Sequence, residues 1–239
     1  MLLSDMTWEE VAEYLEQDDR VILPIGATEE HGRHLGLGTD FIEAEAIALG
    51  AGEATGVIVA PTLNYGQSLA MMGFPGTLSL QPTTLTSVLD DLFTALFRHG
   101  FRRILVVNGH GGNSAPLYDA VQMVGYQFPG LRVKNFQWWT DSEAYKIVTE
   151  MLGEQQGSHA AGGETAFMLA VRPDAVKLER LTGKDAPVEP SREIVTVGTF
   201  TQLYPDGIMG LDPREATSEA GAALLEKSVE ICAQELEDW

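Results

Sequence analysis

Val21-Ile22-Leu23-Pro24-Ile25 runs straight into Gly26-Ala27-Thr28-Glu29-Glu30-His31-Gly32-Arg33-His34-Leu35-Gly36-Leu37-Gly38-Thr39-Asp40. The first five residues form an unbroken apolar run, the pattern of a strand buried on both faces. The glycine-rich stretch behind it carries two glutamates, two histidines and an aspartate, and it ends where a helical pattern begins. A second stretch repeats the plan: Arg103-Ile104-Leu105-Val106-Val107 delivers Asn108-Gly109-His110-Gly111-Gly112-Asn113. Outward from these two anchors, apolar spacing predicts strands over 21–27, 57–60, 104–107, 133–138 and 194–200. It predicts helices over 39–54, 82–98, 114–126, 141–152, 163–171 and 218–236. Thr7 and Glu10 have the spacing of a capping box, with Val11, Tyr14 and Leu15 on one face of the helix it would start. Short apolar strands alternating with helices indicate an α/β fold, a mostly parallel sheet with helices on both faces. In such sheets ligands bind beyond the carboxyl ends of the strands, where both glycine-rich stretches fall.

The 239 residues are enough for one sizeable core, and no repeat or linker divides them, so a single domain over 1–239 is expected. The composition, 44% apolar and 21% charged, is that of an ordinary globular protein. No apolar run approaches the ~20 residues of a membrane span. The first residues lack the basic and apolar regions of a signal peptide. A lone cysteine, Cys232, excludes an internal disulfide, and a cytoplasmic location is the simplest expectation. The formal charge of −20 repels phosphate backbones and argues against a nucleic-acid partner.

Carboxylates and imidazoles gathered at strand ends are what a hard-to-borderline divalent cation needs. Glu29 and His31 can reach one region from a single peptide, Asp40 can offer one oxygen to each of two cations, and His110 arrives from the neighbouring strand. Together they suit a hydrolase with two cations roughly 3.5–4 Å apart and an acidified water between them. A third cluster, Ser158-His159-Ala160-Ala161-Gly162-Gly163-Glu164-Thr165, adds a histidine able to protonate a leaving nitrogen and a glutamate able to fill a coordination position. A single histidine in a glycine turn is ordinarily structural; three such clusters at strand ends or helix starts outweigh that reading. His34 is expected to orient a ligand, Glu30 to face solvent and His99 to sit at a helix carboxyl end. Of Trp138 and Trp139, one is expected in the core and the other on a pocket wall. The glycine- and proline-rich 71–77 loop is a pocket edge or a turn.

These stretches resemble the creatininase family of metal-dependent amidohydrolases. The resemblance is carried by 24–32 through Asp40, by Phe74-Pro75-Gly76-Thr77, by Asn108 to Asn113, by His159 through Thr165, and by Gly210-Leu211-Asp212-Pro213 with Ala216-Thr217. It implies a three-layer α/β/α sandwich, two divalent ions (zinc, manganese or iron) and a homohexamer acting on a small-molecule amide. It also implies that Glu29, Asp40 and His110 hold one ion, that His31 and Asp40 hold the other, and that His159 is catalytic. Creatininase itself has tyrosine and glutamate where this chain has Gly111 and Gly112, so Glu164 is the expected remaining ligand. A substrate-walling tryptophan of that enzyme is Gln155 here. Trp138, Gln155 and Gly111 are therefore the expected substrate contacts. The expected reaction is opening of a creatinine-like cyclic amide by a bridging hydroxide. A formamidopyrimidine-deformylase-like formamide hydrolase and a cofactor-precursor peptidase are the alternatives, with a non-catalytic metal-binding protein more remote. A dinucleotide binder is disfavoured, because the first strand's turn lacks the G-x-G-x-x-G run and carries carboxylates.

Overall fold

The computed structural model describes residues 1–153, 157–183, 194–210 and 213–239. Among them, β2 (Ile58–Val59), β1 (Arg20–Ile25), β3 (Arg103–Asn108) and β4 (Arg132–Phe136) lie side by side in that order, all parallel. Side chains alternate across a strand, and that alternation sets the layers. Val21, Leu23 and Ile25 of β1, with Ile104 and Val106 of β3, enter one apolar cluster. Leu85, Leu89 and Phe93 of α3 (Pro82–His99) and Leu117, Ala120 and Val124 of α4 (Ser114–Gln127) complete it, with α1 (Trp8–Leu15) against its edge. Ile22, Leu105 and Val107 face the other way. They meet Ala44 and Ile47 of α2 (Thr39–Thr55), Val148 of α5 (Ser142–Leu152), Phe167 of α6 (Gly162–Val171) and Leu224 of α8 (Ser218–Glu237). The expected parallel sheet with helices on both faces is what the chain forms. No helix among the described residues is long and apolar enough to cross a membrane.

Local signals explain the element ends. Thr7 and Glu10 form the expected capping box, each reaching the other's backbone N–H. Gly100, at φ +117°, ends α3 just after His99, a backbone shape that favours glycine. At the amino ends of the strands, Arg20 holds Asp18 with Nε and Nη2, and its Nη1 donates to the Leu236 carbonyl at 2.8 Å. Arg103 pairs with Asp19 and donates to the Trp239 carbonyl. The carboxyl end of α8 is thereby fastened at the sheet edge opposite the glycine-rich loops.

Two expectations fail. The run 194–200 is not a strand: α7 (Val197–Leu203) forms there, capped by Thr196 and packed on the short 3-10 turn Leu69–Gly73. Its β-branched residues mimic a strand, but Ile194 is 87% exposed, and it is the helical turn that brings Phe200 into the interior. β4 stops at Phe136, so Trp138 belongs to the turn that follows rather than to the strand.

The loop ends are drawn together by close backbone packing. β1 and β3 are in register, with Ile25 opposite Asn108, so both motif loops leave the sheet at one level. A Cβ on Gly109 would stand 2.0 Å from the Asp40 carbonyl oxygen, and one on Gly26 2.4 Å from the Phe41 Cα. The first turn of α2 therefore sits on the ends of both strands. A second close approach holds α8 to α6: a Cβ on Gly221 would stand 1.8 Å from the Ala166 carbonyl oxygen. Gly221→Ala should force the two helices apart and cost about 1–3 kcal/mol. A lower urea midpoint at unchanged m-value checks this, and an unshifted midpoint would show that the helices can separate freely.

Candidate metal centre

Glu29, His31 and Asp40 converge with His110 and Glu164 beyond the carboxyl ends of β1 and β3. Glu29, His31 and Asp40 are at most 2% exposed. The Glu29 N–H donates to the Leu37 carbonyl at 2.9 Å and closes the loop behind it. His31 Nδ1 lies 3.2 Å from the Glu29 carbonyl, which accepts its hydrogen; in the neutral ring the lone pair is then on Nε2, 2.8 Å from Asp40 Oδ1 and 3.7 Å from Glu164 Oε1. His110 Nε2 donates to the Gln67 carbonyl at 2.8 Å, leaving Nδ1 3.1 Å from Asp40 Oδ2. Each oxygen of Asp40 thus faces the free nitrogen of a different imidazole. The glycine-rich loop that carries His110 is stapled in place by Asn113, whose Nδ2 donates to the Gly26 carbonyl while its Oδ1 accepts from the Gln67 N–H.

These donors fit a divalent cation. Three groups, each with ligand atoms within 4.8 Å of one another, can hold an ion: Glu29, Asp40 and His110; His31, Asp40 and Glu164; and Glu29, His31 and His159. Among the described residues, both oxygens of Glu29, Nε2 of His31 and Oδ2 of Asp40 are buried without a hydrogen-bond partner. Buried polar atoms left that way are costly, and a cation among them satisfies them together. Mixed imidazole and carboxylate ligands suit zinc and manganese.

The charges of the cluster also set where its protons sit. Burial opposes a charge on His110, but Glu29 and Asp40 outweigh it and lift its pKa to about 9. Burial likewise opposes protonation of His31, yet Asp40 and Glu164 raise it well above the ordinary value. Burial raises Glu29, whereas in Asp40 and Glu164 the neighbouring imidazoles overcome burial and lower the carboxyls.

A cavity of about 410 Å³ opens over the cluster. His159, Gly111 and the cluster's carboxylates line it together with Trp138, Trp139, Tyr145, Met71 and Met209. The two indoles meet edge to face, with centroids 5.7 Å apart. Trp138 belongs to the buried core and Trp139 lines the cavity, as expected of the pair, and Trp138 reaches the cavity as well. Gln155 lies outside the described residues, as do Leu211 and Asp212. His34 is buried behind the loop, 2.9 Å from Thr165 Oγ1, and burial together with His31 pushes its pKa down to about 4.

Two further carboxylates are buried at the cluster. Glu30 does not face solvent: it is 3% exposed, and its Oε1 lies 3.1 Å from His159 Nε2. Glu43 is buried on α2 and accepts from Trp138 Nε1 at 3.0 Å; burial and the nearby Glu164 push its pKa well up. Its place three residues after Asp40, on the same helix face, was the available signal.

The position of Gly112 accepts no side chain, since a Cβ would stand 2.1 Å from the Gln67 carbonyl oxygen and 2.5 Å from His110 Nε2. A Cβ on Gly111 meets nothing within 4 Å.

Comparison with known proteins agrees with this geometry. The family model described as creatinine amidohydrolase, creatininase, matches residues 4–236. The creatinine amidohydrolase of Pseudomonas putida is 28% identical over 253 aligned residues, covering 100% of this chain and 95% of that protein. The mycofactocin precursor peptide peptidase of Mycolicibacterium smegmatis is 32% identical over 229 residues, covering 92% and 85%. A solved structure described as the manganese form of creatininase superposes with a TM-score of 0.89 at 27% identity, over 99% of this chain and 97% of that one.

Cation uptake must expel the protons that the cluster holds. With His110 titrating at about 9, zinc affinity should weaken steadily as pH falls from 9 to 6, with proton release on binding. Calorimetric titrations in buffers of different ionisation enthalpy check this, and an affinity independent of pH would contradict it.

Proposed function

Because the chain belongs to the creatininase family, we propose that it is a metal-dependent hydrolase of an amide C–N bond in a small molecule, with a creatinine-like cyclic amide as the first substrate class. The observation that carries this reading is Asp40, each of whose oxygens faces a different imidazole whose other nitrogen is tied to a backbone carbonyl. Glu29, Asp40 and His110 would hold one divalent cation, and His31, Asp40 and Glu164 a second. Zinc or manganese there supplies Lewis-acid polarisation of the amide carbonyl and an acidified water. Glu164 takes the ligand role that Gly112 has no room to fill; its Oε2 accepts from the Ala160 N–H, which leaves Oε1 toward His31.

The chain's own groups do the rest. His159 lines the cavity, where it can carry a proton to the departing nitrogen, a contribution of about 10²–10⁴-fold in rate. Trp138 and Trp139 offer flat apolar walls to a planar amide. Glu43 holds the Trp138 indole by its N–H and so fixes the angle of that wall.

A second reading, hydrolysis of a formamide or a short peptide, is favoured by the cavity. Its volume of about 410 Å³ lies in the range of pockets that enclose drug-sized ligands, about 300–1,000 Å³, and the lining residue Gly111 leaves open space where a side chain would stand. The relative from Mycolicibacterium smegmatis is named as a peptidase.

The test is turnover of creatinine, an N-formyl amine and a set of short peptides by protein loaded with manganese or zinc. His110→Ala should lose turnover and cation content together, whereas His159→Ala should lose turnover and keep its cations. Full activity of the His110 variant would overturn the cation scheme. Bound cations without turnover of any substrate class would make the chain a non-catalytic metal-binding protein.

A further inference from the structure

Glu30 stands between Glu29 and His31 in sequence yet turns away from the cluster they form. Its Oε2 accepts from the Gly32 N–H at 2.9 Å, and its own N–H donates to Thr77 Oγ1 at 3.0 Å. Its Oε1 lies 3.1 Å from His159 Nε2. The space around the carboxylate is closed. A Cβ on Gly207 would stand 2.0 Å from Oε2, and Gly207 has a φ of +74°, so the chain passes over Glu30 as bare backbone. The same segment grips the backbone beside the histidine: Met209 donates to the His159 carbonyl at 2.9 Å and accepts from the Ser158 N–H at 2.8 Å. The Phe200 ring meets the His159 ring at 80°, with centroids 5.9 Å apart.

A carboxylate can only accept here, so Nε2 of His159 carries the hydrogen. In the neutral ring the lone pair is then on Nδ1, which lies on the cluster side, 3.5 Å from Glu29 Oε1. We propose that Glu30 is a positioning residue for His159: by accepting the Nε2 hydrogen it fixes the ring's tautomer and orientation, so that Nδ1 is the atom that handles the proton in amide cleavage. The proposal rests on the role given to His159 above. As the C–O bond forms and the C–N bond breaks, a proton of the attacking water passes to Nδ1 and from there to the departing nitrogen. The carboxylate at Nε2 stabilises the imidazolium between the two transfers.

Glu30→Gln tests this with little change of shape. Glutamine offers one acceptor oxygen where two donors, Gly32 N–H and His159 Nε2–H, now compete for it. The chain has five histidines, so ¹⁵N NMR can report the His159 tautomer on the cation-loaded protein directly. The wild type should show a protonated Nε2 and an unprotonated Nδ1, and the variant should lose that single state. With whichever substrate is turned over, the variant should keep its cations and its KM within about twofold while kcat falls by about 10²-fold. In a His159→Ala background the same substitution should change kcat no further. A protonated Nδ1 in the wild type, an unchanged kcat in the variant, or loss of cations from it would each overturn the proposal. The tautomer needs no turnover, so it decides the positioning role even if no amide proves to be a substrate.

Discussion

Everything at the cluster depends on how closely the first turn of α2 presses on the ends of β1 and β3. Gly26 and Gly109 have no side chain to hold it off, and the Asp40 carbonyl lies where a Cβ on Gly109 would be. That contact drives the Asp40 carboxylate between His31 and His110, one from each strand's loop. Interiors are close-packed, so a helix displaced by the width of one methyl group would move a carboxylate that must reach two imidazoles at about 3 Å. The glycines set the geometry of the cluster through packing alone.

Burying this many ionisable groups is expensive unless their charges are balanced. Glu29, Asp40 and Glu164 bring three carboxylates into one buried space, and His31 and His110 answer them at contact distance. Hydrogen bonds to backbone carbonyls hold each imidazole by its outer nitrogen and leave the inner one free, the arrangement in which partners behind the ligands set ring orientation and basicity. The cavity above brings aromatic and apolar side chains together with these buried charged groups.

Much of this could be read from the residues. The apolar runs of β1 and β3 and the glycines behind them gave the level at which the ligands cluster, and the Thr7 cap gave α1. What stayed hidden was orientation. In an irregular loop no period says which of two adjacent glutamates points inward, and Glu30, expected at the surface, is buried like its neighbour. The run 194–200 is rich in β-branched residues like a strand, but it pairs with no strand among the described residues, and Phe200 is buried against Phe74 as part of a helix. Trp138 left its strand because β4 ends two residues earlier. Such outcomes are set by contacts distant in sequence, which local propensity does not encode.

The segment over Glu30 has a consequence for how the site comes into being. The loops bearing Glu29 and His110 follow strands that are neighbours in the sheet, but the backbone bridge from Met209 to His159 and the lid of Gly207 on Glu30 join residues 50 to 177 positions apart. Loop-closure entropy must be met before contacts so far apart can form. Half of the cluster can therefore assemble with the sheet, while the His159 half waits for the last third of the chain to dock. A nascent chain released before that docking would hold the carboxylates and imidazoles of the first two loops open to water, without His159 beside them.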